Sequence, residues 1–74
     1  MMITVNASNH LGNTVQLREI KIRQSAIEVV EFLGSYPCYA KGAMFNGPIC
    51  RVTMISGGVH YINATTDELE KRSA

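Results

Sequence analysis

The chain has 74 residues, with seven Lys/Arg and six Asp/Glu giving a formal charge of +1. That length holds one domain, residues 1–74, and excludes Rossmann-type and TIM-type enzymes, which need far longer chains. Hydrophobic residues at 46% and charged residues at 18% describe globular material rather than a disordered tail.

Charge is unevenly spread. Arg18, Lys21 and Arg23 cluster early, and the stretch from Leu33 to Thr66 holds no acid, only Lys41 and Arg51. Met1-Met2-Ile3 has no basic region leading into an apolar stretch, so no signal peptide is expected. Apolar runs are too short for a membrane span. A cytoplasmic setting is expected, with Cys38 and Cys50 as free thiols.

Met2–Ala7 alternates, with Ile3, Val5 and Ala7 on one side, which predicts a half-buried strand. Ser8–Asn13 is dense in turn formers and reverses the chain. Thr14–Arg23 reads as a longer strand whose apolar phase changes, from Val15 and Leu17 to Ile20 and Ile22. A bulge near Arg18-Glu19 restores both pairs to the core and leaves Arg18, Lys21 and Arg23 on the outer face.

Ser25-Ala26-Ile27-Glu28 fits a capping box opening a helix to about Leu33, with Gly34 as its left-handed end. Ala26, Val29, Val30 and Leu33 form its apolar stripe. Ile27, Val29 and Val30 are mediocre helix formers, so packing on a sheet must hold it.

Gly34–Pro48 is rich in turn formers and in large apolar residues together, so it is either partly strand or an apolar surface awaiting a partner. Asn46-Gly47 is a hairpin-turn dipeptide. Ile49–Ser56 and Val59–Ala64 read as strands joined at Gly57-Gly58, with Met54 opposite Tyr61. Both faces of that pair are partly apolar, and one helix covers only one, so Ile49, Ile55 and Ile62 are expected on a second, uncovered face. Thr65-Thr66-Asp67-Glu68 caps a short C-terminal helix through Lys71, with Lys71-Arg72 at its end complementing the dipole.

The expected fold is therefore α+β: an antiparallel β-sheet of four to five strands packed on one main α-helix, in the order β-β-α-β-β-β with a short C-terminal helix.

His10, Cys38, Cys50 and His60 are soft metal ligands, but their spacing fits no familiar site, so no metal or other cofactor is expected. Asp67 is the one aspartate and falls at a helix start, which leaves no triad. Glu28 and Glu31 fall on an exposed face, where nothing raises a carboxyl pKa. No enzyme activity and no small-molecule substrate are expected.

Binding is the remaining class. Tyr36–Phe45 carries residue types enriched at interface cores. The expected protein-binding residues are Tyr36, Tyr39, Lys41, Met44, Phe45, Arg51, Ile55 and His60, facing a protein partner, with a homodimer as one form of it. By analogy of fold class alone, small free-standing domains of this kind include phage-encoded inhibitors or regulators of larger host machines, such as transcription inhibitors and anti-CRISPR proteins. The alternative is a single-stranded nucleic-acid-binding module using Arg18, Lys21 and Arg23, where cations meet phosphates and nearby rings stack on bases.

Overall fold

The structure is a computed structural model and describes residues 2–71. Six strands make one mixed sheet: β1 (Met2–Ser8), β2 (Val15–Gln16), β3 (Arg18–Arg23), β4 (Ile27–Ala40), β5 (Ala43–Met54) and β6 (Val59–Ile62). One short helix, α1 (Thr66–Lys71), follows. The expected α+β fold with a main helix is overturned. Ile27–Leu33 is the first half of β4, and Gln24–Ala26 is a single 3-10 turn with no side-chain cap at its start. β-Branched and aromatic residues at Ile27, Val29, Val30 and Phe32 favour a pleated surface over a helix. The analogy with small α+β inhibitors of host machines rested on that fold class and is withdrawn with it.

The strands lie in the order β2-β4-β5-β6-β1-β3. The β2–β4 pair is parallel and the others are antiparallel, so the expected all-antiparallel sheet is corrected too. β2 and β3 sit at opposite edges of the order, yet Leu17 alone separates them in the chain. Gln16 and Arg18 can be no more than about 7 Å apart. The sheet must therefore roll until the chain itself joins its edges. The phase change expected near Arg18 falls at this bend: Val15 and Leu17 are buried before it, Ile22 after it.

The β4–β5 hairpin dominates the molecule. A straight fourteen-residue strand would run about 43 Å, beyond the 30 Å long axis of the protein. The pairing register slips at Glu28 and again at Leu33, where β4 carries one extra residue. Such bulges bend a strand and increase its twist, which wraps the hairpin around the core. The hairpin turns at Lys41-Gly42, with φ of 53° and 80°. Asn46-Gly47, expected as the turn, lies inside β5.

Two apolar clusters result. The larger joins Ile3, Val5, Ile22, Cys50, Val52 and Ile62 to Leu69 of α1. The smaller joins Val15 and Leu17 to Cys38 and Ile49. Ile49 and Cys50 are neighbours pointing to opposite faces, and both are fully buried, so β5 is covered on both sides there. Ile62 is fully buried as well. The uncovered second face expected for Ile49 and Ile62 does not exist, and with it goes the argument for a dimer mate. β6 pairs with Thr53 opposite Val59 and Arg51 opposite Tyr61, a register different from the expected one. A four-residue loop, Ile55–Gly58, replaces the two-residue turn: the Gly57 N–H donates to Met54 O, and the Met54 N–H to Gly58 O.

The C-terminal helix forms as expected. Thr65 Oγ1 accepts from the Glu68 N–H at 3.2 Å, and Glu68 Oε1 accepts from the Thr65 N–H at 3.3 Å, a reciprocal capping box. Leu69 anchors it at 2% exposure, and burial of one leucine contributes about 1.5–3 kcal/mol. The buried Gln24 Nε2 donates to Leu69 O at 2.7 Å and ties the helix to the 3-10 turn. The expected dipole complement from Lys71 and Arg72 lies outside the described side chains. Among the described residues no helix is long and apolar enough to cross a membrane.

Candidate functional site

The outer half of the β4–β5 hairpin is covered on one side only. Beyond the Leu33 bulge the pairs alternate between faces. Tyr36↔Gly47, Cys38↔Phe45 and Ala40↔Ala43 share one face; Ser35↔Pro48, Pro37↔Asn46 and Tyr39↔Met44 share the other. The first face packs on β2 and the bend after it, where Cys38 and Ile49 meet Val15 and Leu17. The Leu17 N–H donates to Tyr39 O at 2.9 Å and extends that contact.

The second face has no covering layer among the described residues. Tyr39 and Met44 stand opposite each other at 39% and 61% exposure. Pro37 is exposed beside them. On the same side, nearer the centre of the sheet, Phe32 stands opposite Cys50 and is 56% exposed. The face thus presents two rings, a thioether and a proline. Among the described residues Lys41 in the turn is its one nearby charge, since Arg51 points to the opposite face and is engaged by Glu31.

The eight expected protein-binding residues do not form one surface. Tyr39, Lys41 and Met44 gather at the hairpin end. Phe45 lies on the reverse face, 39% exposed, and Tyr36 is half-buried against the smaller cluster. Arg51 and His60 lie on opposite faces of the sheet, opposite Tyr61 and Val52 respectively. Ile55 is 65% exposed but sits in the loop after Met54, at the other end of the hairpin from Met44. Phe32 and Pro37 belong to the bare face and were not among the expected residues. Phe32 falls within the expected helix but outside its apolar stripe, and only the strand assignment puts it in line with Tyr39.

The three expected nucleic-acid residues are also divided. Lys21 and Arg23 share a face of β3, opposite Thr4 and Met2, but Glu19 shares it with them. Arg18 stands opposite Ala7, on the other face.

Both thiols are buried and free. Cys38 Sγ donates to Tyr36 O at 3.2 Å, and Cys50 Sγ donates to Ala64 O at 3.1 Å. Burial pushes both thiols above the ordinary range, so neither is an activated nucleophile. Among the described residues no three of His, Cys, Asp and Glu lie together in a way that could hold a metal ion.

Comparison with family models, with curated proteins and with solved structures finds no match to this chain.

Proposed function

We propose that this chain is a non-enzymatic protein-binding domain that docks through the bare face of the β4–β5 hairpin. The observation that carries this reading is the asymmetry of the hairpin. One side of its outer half is packed through Tyr36, Cys38 and Ile49, with Ala43 and Phe45 open near the turn, while the other offers Phe32, Tyr39 and Met44 to solvent. Aromatic residues and Met are enriched at the centres of protein interfaces, and rigid aromatic anchors supply most of the energy there.

The partner chemistry follows from the charge. Among the described residues the face carries Lys41 and no acid, so the complement is an apolar surface with carboxylates at its rim. A second copy would set Lys41 against an equally basic tip, which disfavours self-pairing. Strand addition at the outer edge of β4 is less well supported. That edge is broken by bulges at Glu28 and Leu33 and carries Glu28 and Glu31, the devices that discourage edge pairing.

A paired capture experiment tests the docking face. Wild-type protein, a Phe32→Ser/Met44→Ser variant and a Lys21→Gln/Arg23→Gln control are used as baits in lysate of the source cells. The proteins recovered are then purified and titrated by calorimetry. Docking through the face predicts a partner that the control binds like wild type and the face variant loses, with a negative heat-capacity change on binding. A partner set that is identical for wild type and the face variant refutes it. Binding of single-stranded nucleic acid that depends on Lys21 and Arg23 would favour the competing module instead.

A further inference from the structure

We propose that an open cleft beside the β2–β3 bend binds the phosphate group of a small sugar phosphate. The cleft measures about 360 Å³ and is lined by Ser8, Asn9, His10, Thr14, Gln16 and Arg18. It lies where β1 ends, across the following loop, and at the point where the chain passes from one sheet edge to the other.

All six lining residues are polar and none is acidic. Arg18 is exposed and makes no ion pair among the described residues, so its five N–H donors are available. Asn9, His10, Thr14 and Gln16 bring further donors from the loop and from β2. Together these groups exceed what a carboxylate's two oxygens accept, whereas a phosphate offers three acceptor oxygens and up to two charges. The Arg fork matches phosphate geometry.

The loop is fixed from within. Ser8 Oγ donates to His10 O at 2.9 Å and accepts the His10 N–H at 3.1 Å, so this buried hydroxyl serves the loop and not a ligand. The His10 ring lies close against Gly12, where a Cβ would sit 3.4 Å from Nε2. The Ser8–Gly12 part of the lining is thereby ordered before a ligand arrives.

The cleft has more room than one phosphate fills, and the rest of its surface mixes side-chain carbon with amide and hydroxyl groups. His10 is its one ring, so there is no platform for a nucleobase. A hydroxyl-rich body such as a pentose suits that lining.

The test is a titration of the uniformly ¹⁵N-labelled full chain, followed by amide NMR shifts, with ribose 5-phosphate, inorganic phosphate, ribose and acetate as probes. Ribose 5-phosphate is expected to bind most tightly, with shifts confined to the Ser8–Arg18 region. Arg18→Gln is expected to weaken it about tenfold or more, and Gln16→Ala to weaken it less. Lys21→Gln, on the same strand but the other face, is expected to leave it unchanged. The proposal is overturned if ribose or acetate binds as tightly as ribose 5-phosphate, or if Arg18→Gln, folded by its own spectrum, binds like wild type. It is also overturned if a single-stranded oligonucleotide binds more tightly and shifts Lys21 and Arg23 as well, because the charge then serves a nucleic acid.

Discussion

Arg51 and Glu31 stand directly opposite each other on β5 and β4, and the guanidinium grips both carboxylate oxygens. Arg51 Nη2 donates to Oε1 at 2.9 Å and to Oε2 at 3.0 Å, while Nε donates to Oε1 at 3.2 Å. The Glu31 hydrogen bonds and charge, with a smaller contribution from Tyr61, raise the Arg51 guanidinium above its ordinary range. The pair sits between the two bulges of β4 and marks the register there. Its side chains are 42% and 46% exposed, so solvent screens most of the attraction. Glu31→Gln is therefore expected to lower the melting midpoint slightly at low ionic strength. The difference should shrink at roughly 1 M salt, where the screening length is about 3 Å. Thermal melts at two salt concentrations check this, and a large salt-independent loss would show that Glu31 does something other than pair with Arg51.

Gly47 is required by what crosses it. A Cβ there would lie 2.7 Å from Asn63 Nδ2 and 3.0 Å from Phe45 Cε2. The same Asn63 Nδ2 donates to Pro48 O at 2.9 Å. Gly47→Ala is expected to push Asn63 out of that bond and cost about 1–3 kcal/mol. Asn63→Ala alone should cost about 1 kcal/mol. The two should not add: Gly47→Ala made on Asn63→Ala should cost less than on wild type, because the nearer of the two obstacles is already gone and only the Phe45 ring remains. Denaturant titrations of the four chains give the answer, and simple additivity would mean Asn63 is not what Gly47 accommodates.

The turn at Lys41-Gly42 has both central residues at positive φ, 53° and 80°. That is the backbone of a two-residue hairpin turn whose twist matches the strands. Gly42→Ala should destabilise by about 1–2 kcal/mol, the cost of a left-handed conformation for a residue with a Cβ. Lys41→Asn should be neutral or slightly stabilising, since Asn tolerates the left-handed region better than Lys. Chemical denaturation measures both, and equal effects of the two changes would contradict the turn geometry.

The same hairpin explains how much of the fold was legible. The strand Met2–Ser8, the phase change at Arg18 and the Thr65–Glu68 cap were readable because each is a local pattern with a local cause. The helix expected over Ala26–Leu33 was a misreading with a definite origin. Along β4 as far as Tyr36, the half-buried apolar residues packed against the clusters are Ile27, Val30, Leu33 and Tyr36, three apart each time. A strand normally buries every second residue; the bulge at Glu28 stretches Ile27–Val30 to three, the bulge at Leu33 stretches Leu33–Tyr36 to three, and Val30 to Leu33 is the step from the larger cluster to the smaller. A strand bulged this often imitates the spacing of a helix. Asn46-Gly47 misled for another reason: Gly47 is there for close approach and not for positive φ. The bare face could not be read in advance, because Phe32 joins Tyr39 and Met44 only once the Leu33 bulge sets the register.

The buried thiols give the protein an alkaline limit. Cys38 is fully buried, and desolvation raises it, partly offset by a backbone hydrogen bond from Gly47. Cys50 is fully buried too, raised by desolvation and by the negative charge of Glu68. The folded values lie above the unfolded ones, so below the unfolded thiol value both states keep their protons and stability is unaffected. As pH rises past roughly 8.5 the unfolded chain ionises first, and stability falls until the folded thiols ionise as well. Urea midpoints measured from about pH 7 to 10 should decline over the upper part of that range. In a Cys38→Ala/Cys50→Ala chain, less stable overall, the decline should be shallower. Native protein should also react slowly with a disulfide reagent at neutral pH, through opening of the fold, and quickly in urea. Fast labelling of the folded chain, or an alkaline slope that the double substitution leaves untouched, would show that these thiols are not sheltered as described.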